Sequence, residues 1–393
     1  MAALVSAGRG VYSGALGRVS TLAAQPAFVE GVSSDQAHTT VGIAAGLFHS
    51  IIHGSVTLSF GKSGSGRLGL GHEVSHSEEP ITLPQQIQSD CFDHSTVISS
   101  SAGAVHSCFI TSDGILRSTG FAGFGALGHG NDNNRTDDRH VPGIASSPGT
   151  SFAKVACGGA HTVVLTSTGT LMSCGRDDGD GRLGIGPVVP EEESGCVPTL
   201  HEVPISERIV SHDCGGFFSG CITEEGNVFT FGGNRNGELG RSETPDSPCH
   251  LPGAVEGLPS DDPPLQIALG GFHSLVLCQS GSVYSFGYGR EGTLATGELR
   301  SSYRPVRVQF PDSFGARAAS VAAGPKASIV VSETGAAFVC GRNFERQLGL
   351  KGKKSNQQDY VATLQQLPMP DDHLHVDSVA LGAEHMLFMC SPS

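Results

Sequence analysis

Five histidines recur at one position of a short motif, in which alanine or serine is followed by any residue, glycine, two further residues and histidine. An imidazole can ligate a metal, exchange protons near neutral pH or form hydrogen bonds inside a core. A shared metal would need every ligand atom within about 2.0–2.2 Å of one ion, and side chains on successive repeats diverge instead. The pattern therefore favours hydrogen bonds that satisfy backbone groups between adjacent strands, with partner contact as the second hypothesis. The five residues are His49, His106, His161, His273 and His385.

Other clusters of reactive residues lie in connecting segments. His72, Glu73 and His76 could suit a metal by spacing, as could the stretch 371–375, but their surroundings are typical of solvated loops. The stretch 176–184 has three aspartates like a calcium loop but lacks the distal glutamate, so we interpret it as a turn. There is no nucleophile elbow, phosphate-binding lysine loop or HExxH motif. The sequence therefore predicts no catalytic residue, no cofactor and no metal site, and a protein that is not an enzyme.

The composition restricts the class of protein. The 393 residues include 55 glycines and 21 prolines, with 38% hydrophobic and 16% charged residues, which indicates many short strands joined by tight turns. A net charge of −14 argues against binding nucleic acid or an anionic membrane through the whole surface. The 11 cysteines form no C-x-x-C pair, and the sequence shows no signal peptide, so we expect the cysteines to be reduced thiols. Because no apolar run has membrane-spanning length, we expect a cytoplasmic, cytoskeletal or nuclear protein without membrane insertion.

The histidine motif is the first half of a repeat that fills the chain. Successive motif glycines are 54 to 58 residues apart, and each of the first six is followed by a strand-like run and a turn containing G-x-L-G or a variant of it. Two copies depart from the motif, with Phe218 and Ala327 in the place of histidine. The seven glycines are Gly46, Gly103, Gly158, Gly215, Gly270, Gly324 and Gly382.

The two ends of the chain complete each other. The last motif, at Gly382, has no second half after it, and residues 4–17 resemble a second half with no first half before it. Counted across the ends, the step from Gly382 to the first motif glycine is 57 residues, which matches the other steps. A repeat of paired short strands must stack on its neighbours to bury its faces. The predicted fold is an all-β, seven-bladed β-propeller of four-stranded blades, one domain over 1–393, with one blade shared between 376–393 and 1–18.

The two half-motifs together resemble the regulator of chromosome condensation repeat family over essentially the whole chain. They read A-x-G-x-x-H-[ST] and G-x-x-x-x-G-x-L-G. The resemblance implies the propeller fold, but family members differ in function and include a nucleotide exchange factor for the GTPase Ran, a light sensor and ubiquitin-ligase-linked propellers. The light sensor uses a cluster of tryptophans, and this chain has none. Ligase members carry a fused catalytic domain, for which we expect no residues here.

Similarity to the Ran exchange factor implies a partner-contact surface near the mouth of the central channel. By matching position, this surface includes the motif histidines and the two substituted positions. A wedge-like hairpin of the kind that the exchanger inserts toward the nucleotide could come from the connection 129–140, and we expect no basic tail for chromatin docking. The candidate contact residues are His49, His106, His161, His273, His385, Phe218 and Ala327.

The leading hypothesis is a non-enzymatic scaffold or adaptor that docks into a larger protein assembly, such as a cytoskeletal, ciliary or organellar complex. It follows from a compact ring without a catalytic constellation. The alternative is a guanine nucleotide exchange factor for a Ran-like small GTPase, which would act by favouring the nucleotide-free form of its partner. Either hypothesis predicts protein partners, no cofactor and no direct binding of nucleic acid.

Overall fold

Nearly all regular structure in the described part of the chain is β-strand, arranged as seven four-stranded antiparallel sheets. The short helices α1 (Ser34–His38) and α2 (His72–Ser75) lie in connections, and no described helix has the length and hydropathy needed to cross a membrane. The computed structural model describes residues 3–8, 26–75, 79–130, 139–145, 149–188, 195–241, 249–315, 317–344, 346–350 and 359–393.

The seven sheets are the blades of a propeller, and within each blade the strands follow one another outward from the central channel. The first strands of the chain, β1 (Ala3–Gly8) and β2 (Ala27–Phe28), belong to blade 7. Blade 1 contains β3 (Thr40–Ala45), β4 (His49–Gly54), β5 (Thr57–Gly61) and β6 (Ile81–Gln86). Blade 2 contains β7 (Val97–Ala102), β8 (His106–Thr111), β9 (Leu116–Gly120) and β10 (Arg139–Ile144). Blade 3 contains β11 (Phe152–Cys157), β12 (His161–Thr166), β13 (Leu171–Arg176) and β14 (Cys196–Glu202).

The remaining blades repeat this arrangement. Blade 4 contains β15 (Ile209–Cys214), β16 (Phe218–Thr223), β17 (Val228–Gly232) and β18 (Cys249–Ala254). Blade 5 contains β19 (Pro264–Leu269), β20 (His273–Cys278), β21 (Val283–Gly287) and β22 (Ser302–Arg307). Blade 6 contains β23 (Ala318–Ala323), β24 (Ala327–Ser332), β25 (Ala337–Arg342) and β26 (Tyr360–Gln366). The last strands, β27 (Leu374–Leu381) and β28 (His385–Pro392), complete blade 7.

The second strand of each blade is largely buried because neighbouring blades cover both of its faces. All six residues of this strand are buried in blades 1 to 6, which explains nearly continuous apolar runs such as HTVVLT in β12. Apolar clusters form between blades: Ile329 and Val339 of blade 6 pack with Val5 and Phe388 of blade 7. The core is therefore a ring of layers between blades, and one blade alone has no core.

Blade 7 closes the ring by pairing the two ends of the chain. Strand β1 lies antiparallel to β28 from Ala3 opposite Cys390 to Gly8 opposite His385. The predicted propeller and its end-to-end pairing are confirmed. The expected range 1–18 for the outer strands needs a correction, because the outermost strand β2 (Ala27–Phe28) lies beyond residue 18. Residues 9–18 lie outside the described part of the chain.

The connections emerge on two opposite faces of the ring. Those between the first and second strands, and between the third and fourth, lie on one face, which we call the mouth face. The seven motif glycines all lie in connections between first and second strands. Antiparallel pairing therefore sets each motif histidine at the start of a second strand, beside the central channel and at its mouth-face end.

Candidate functional site

Each motif histidine links its own blade to the next one. Its Nε2 atom lies 2.7–2.9 Å from a serine or threonine hydroxyl of the following blade, and the whole residue is at most 1% exposed. We call this pair a histidine clamp, and it occurs at five of the seven junctions between blades. The pairs are His49–Ser107, His106–Thr162, His161–Ser219, His273–Ser328 and His385–Ser50.

The serine or threonine hydroxyl of each clamp determines which ring nitrogen of the histidine carries the proton. Ser328 Oγ donates to the Thr293 carbonyl oxygen at 2.7 Å, and Ser107 Oγ donates to the Arg67 carbonyl oxygen at 2.7 Å. Because its proton is used there, the hydroxyl accepts from histidine, so Nε2 carries the proton of a neutral ring. Burial lowers the pKa of His273 to about 4, which keeps this ring uncharged at neutral pH.

The motif glycine is required both by the histidine ring and by the next blade. A Cβ atom at Gly270 would lie 2.4 Å from the Gly324 carbonyl oxygen of blade 6 and 2.4 Å from Cε1 of His273. The N–H of Gly271 donates to the same Gly324 oxygen at 3.2 Å. The spacing G-x-x-H therefore places a glycine without a side chain against the ring of the histidine three residues later. The same connection donates a backbone hydrogen bond to the neighbouring blade.

Blade 4 uses a carboxylate where other blades use the histidine. Phe218 occupies the histidine position and is 1% exposed. The Oδ2 atom of Asp213 accepts from the backbone N–H of Leu269 in blade 5 at 2.7 Å, and burial raises the pKa of Asp213 to about 7. A polar link between blades 4 and 5 is thus retained by a different side chain.

The junction between blades 6 and 7 is apolar at its inner edge. Ala327 occupies the histidine position and Met386 the hydroxyl position, and both are buried in one cluster with Val5 and Phe388. Pro325 follows the motif glycine and has no N–H to donate to the next blade. Van der Waals packing replaces the clamp at this junction.

The seven predicted contact residues are therefore interior residues. The most exposed of them, Ala327, has 6% of its surface accessible. Their side chains hold adjacent blades together, and this burial leaves them no surface to offer a partner. The accessible surface at the mouth of the channel comes from their immediate neighbours.

Two phenylalanines form an exposed apolar patch on the mouth face. Phe217 and Phe272 are 45% and 40% exposed, and their rings stack with centroids 5.7 Å apart. Each directly precedes the histidine position of its motif, as Phe48 does in blade 1. Both rings border a cavity of about 500 Å³ in the central channel, which Asp213 and six of the seven motif glycines also line. Adjacent exposed aromatic rings at a concave opening are typical of binding surfaces.

Cationic side chains cover aromatic rings around this opening. Four cation–π pairs are recorded among the described residues, and all four lie on the mouth face, with the charged group 4.8–5.0 Å from the ring centroid. This combination of aromatic and guanidinium groups is enriched at the centres of protein interfaces. The pairs are Lys62–Phe48, Arg176–Phe124, Arg182–Phe217 and Arg342–Phe344.

The acidic turn of blade 3 neutralises a buried arginine. Arg182 is 2% exposed, and its Nε atom donates to both carboxylate oxygens of Asp180 at 2.8 and 3.1 Å. Its Nη2 atom also lies 3.2 Å from Asp178 Oδ2. The aspartates that resemble a calcium loop in the sequence thus hold the arginine that covers Phe217.

The other predicted clusters are not brought into one site. His72 and Glu73 lie exposed in α2, and His76 lies outside the described residues. His375 pairs with Asp377 at 3.1 Å on the surface. In the connection 129–140, residues 131–138 also lie outside the described part of the chain.

Sequence reasoning missed the aromatic patch although its signal was present. The triplet Phe-His-Ser or Phe-Phe-Ser occurs at 48–50, 217–219 and 272–274. The histidine was predicted as the contact residue because of its chemistry, but it begins a buried second strand and its side chain faces inward. The residue before it belongs to the connection and is free to face solvent.

Comparison with known proteins identifies relatives over nearly the whole chain. The family model described as RCC1-like domain matches residues 3–391. A similar curated protein is the mitochondrial RCC1 domain-containing protein RUG3 of Arabidopsis thaliana, 32% identical over 369 residues that span 92% of this chain and 79% of the relative. The Ultraviolet-B receptor UVR8 of the same plant is 27% identical, spanning 88% of this chain and 73% of the relative.

Solved structures share the fold at low sequence identity. A chain in the crystal structure of Kap60 bound to yeast RCC1 (Prp20) has a TM-score of 0.85 at 19% identity, with 100% of this chain and 89% of that chain covered. The crystal structure of human WBSCR16 gives a TM-score of 0.82 at 20% identity, with 100% and 99% covered. Their likeness supports the seven-bladed ring alone.

Proposed function

The chain belongs to the RCC1-like domain family, and from that premise we propose that it is a non-enzymatic adaptor that docks a protein partner on its mouth face. The observation that carries the proposal is the stacked and exposed pair Phe217–Phe272 at the opening of the central channel. Relatives in this family differ in function, so the surface of this chain rather than its fold must indicate the activity.

The surroundings of the pair favour a protein partner. Arg182 lies 4.9 Å from the Phe217 ring centroid and is itself held by Asp180, so the aromatic surface is rigid before a partner arrives. An interface core of this kind would receive an apolar side chain, with the partly exposed Asp178 and Asp180 at its edge as hydrogen-bond acceptors. Since preorganised side chains lose less conformational entropy on binding, this region is the best candidate for an affinity hot spot.

We propose an organellar assembly as the first place to search for the partner. The relative RUG3, at 32% identity, is named as mitochondrial. Cytoskeletal and ciliary assemblies are the alternatives, and photocrosslinking in cells would capture a partner from any of the three.

Site-specific photocrosslinking in cells would test the adaptor role. A benzophenone amino acid at position 272 would sit on the mouth face, and the same group at Leu265, which is 55% exposed at the other end of β19, would sit on the opposite face. We expect a discrete covalent adduct with one partner chain from position 272 and none from position 265. Equal adducts from both positions, or a chain that stays monomeric and uncrosslinked, would contradict the proposal.

The alternative activity, nucleotide exchange on a Ran-like GTPase, would use the same mouth face. It is motivated by the sequence resemblance to the Ran exchange factor. Release of labelled GDP from such a GTPase would separate the two roles. Acceleration by the purified chain that is lost in Phe217→Ala/Phe272→Ala would favour exchange, whereas an unchanged release rate at micromolar protein would leave only the adaptor role.

A further inference from the structure

A compact group of soft metal ligands lies between blades 2 and 3. A ring nitrogen of His106 and the Sγ atoms of Cys108 and Cys157 all lie within 4.8 Å of one another. His106 and Cys108 come from β8 of blade 2, and Cys157 ends β11 of blade 3. No other histidine clamp has two cysteines beside it, because Ile51, Val163, Leu275 and Leu387 occupy the positions equivalent to Cys108.

We propose that His106, Cys108 and Cys157 form a binding site for Zn²⁺ or a similar thiophilic ion. A tetrahedral zinc with bonds of about 2.3 Å to sulfur and about 2.0–2.1 Å to nitrogen holds its ligand atoms somewhat under 4 Å apart. The three atoms are therefore within about 1 Å of that arrangement, a change that small side-chain rotations provide.

One of the two ring nitrogens of His106 has no hydrogen-bond partner in the structure. Nε2 is 2.9 Å from Thr162 Oγ1, whose own proton goes to the Ala126 carbonyl oxygen at 2.7 Å. Nδ1 is buried and has no hydrogen-bond partner in the structure, so its lone pair is unused. A metal bound at Nδ1 would leave the Nε2–H donating to Thr162, the kind of fixed acceptor that metal-bound histidines usually have.

Charge favours a divalent cation at this place. Two thiols that bind Zn²⁺ lose one proton each, and the resulting complex of one dication, two thiolates and a neutral imidazole carries no net charge. A neutral complex is far less costly to bury than separate ions. Because each thiol gives up its proton on binding the ion, the affinity should strengthen as the pH rises.

The central channel gives the ion a route to the ligands. Cys157 lines the channel cavity together with Ser101 and Gly158, and it is partly accessible, whereas Cys108 is buried. Three protein ligands leave the fourth position of the zinc for water or a group from a partner, as at other three-ligand zinc sites. The bound ion would tie blade 2 to blade 3.

Cobalt titration of the reduced, chelator-treated full chain would test the site. Co²⁺ bound to thiolates gives charge-transfer and tetrahedral visible bands, and we expect these bands to saturate at one equivalent and to vanish on adding Zn²⁺. Cys157→Ser and Cys108→Ala should lose the bands. Cys221→Ala, which removes a buried cysteine of blade 4, should keep them.

Melting curves would show that the variants are folded and would give a second readout. Zn²⁺ should raise the melting temperature of the wild type and of Cys221→Ala, but not of Cys157→Ser, because only a native state with the site gains from the ligand. Absence of Co²⁺ bands in the wild type, or bands that persist in Cys157→Ser, would overturn the proposal. A Cys108–Cys157 disulfide in the protein isolated from cells would also overturn it.

Discussion

A buried imidazole and a buried hydroxyl form the smallest unit that joins two blades. The pair His273–Ser328 is representative, with a 2.7 Å hydrogen bond across the junction of blades 5 and 6. Blade 5 also contains a natural reference for it. Ser274 donates to the Glu238 carbonyl oxygen at 2.7 Å in the same way, but it lies at the junction where Phe218 replaces the histidine.

Removal of a clamp hydroxyl should therefore lower the free energy of unfolding more than removal of the Ser274 hydroxyl does. We expect Ser328→Ala to lower the free energy of unfolding by about 1–3 kcal/mol more than Ser274→Ala does, because it leaves the N–H of His273 buried without an acceptor. Urea unfolding of the two variants at neutral pH would measure the difference. Equal losses of stability would show that the histidine bond contributes nothing beyond the bond to the carbonyl.

The clamps also predict a dependence of stability on pH. Burial lowers the pKa of His273 and of His385 from 6.5 to about 4, so on acidification the unfolded chain takes up these protons first. The contribution of these two histidines to stability is complete above pH 6.5 and declines as the pH falls toward 4. His273→Phe, which copies blade 4, should reduce the slope of unfolding free energy against pH in this window by up to about 1.4 kcal/mol per unit. An unchanged slope in urea titrations at successive pH values would contradict this assignment.

At the scale of one element, the connection between the first and second strands has almost no freedom in sequence. At Gly270 an added Cβ meets a backbone oxygen of the next blade and the ring of its own histidine. At Gly64, by contrast, the nearest atom is Arg67 Nη2 at 3.7 Å, at the far end of a long side chain.

Alanine substitutions at Gly270 and Gly64 should therefore differ clearly in how much they lower the stability of the chain. We expect Gly270→Ala to destabilise the chain by about 3 kcal/mol or more, since a backbone atom cannot rotate away as a side chain does. Gly64→Ala should change stability by no more than about 0.5 kcal/mol. Thermal melting of both variants would decide, and a fully stable Gly270→Ala would mean that adjacent blades can separate locally at little cost.

These elements show why the sequence predicts the fold better than the site. Equal spacing of glycine and histidine is a property of the chain alone, and it leads directly to seven stacked blades. The role of His273 depends on Ser328, which lies 55 residues away and becomes a neighbour only when blades pack. Phe272 was likewise overlooked in the sequence because it precedes the more reactive His273. It stacks with Phe217 of another blade, and this contact forms only in the folded chain.

At the scale of the whole molecule, blade 7 depends on both ends of the chain. Strand β28 pairs with β27 on one side and with β1 on the other. Phe388 of β28 faces blade 6 in one apolar cluster, and Leu387 faces blade 1 in another. Loss of this strand would open two inter-blade layers at once.

Truncation should therefore destabilise the entire ring. We expect deletion of 376–393 to give an insoluble chain or one with a markedly lower melting temperature. Phe388→Ala should lose about 3–5 kcal/mol, while Phe28→Ala, in the same blade but 50% exposed, should stay within about 0.5 kcal/mol of the wild type. A truncated chain whose melting curve matches that of the full chain would contradict the shared blade.

The junction of blades 6 and 7 gives the ring one cold-sensitive point. Its inner edge is held by Ala327, Met386 and their apolar neighbours, where other junctions have hydrogen bonds. Contacts of this kind weaken on cooling, whereas a hydrogen-bonded pair does not depend on the hydrophobic effect. Every apolar layer between blades weakens on cooling, but this junction lacks at its inner edge the clamp or carboxylate link that supports the others, so it should be the first to loosen near the freezing point.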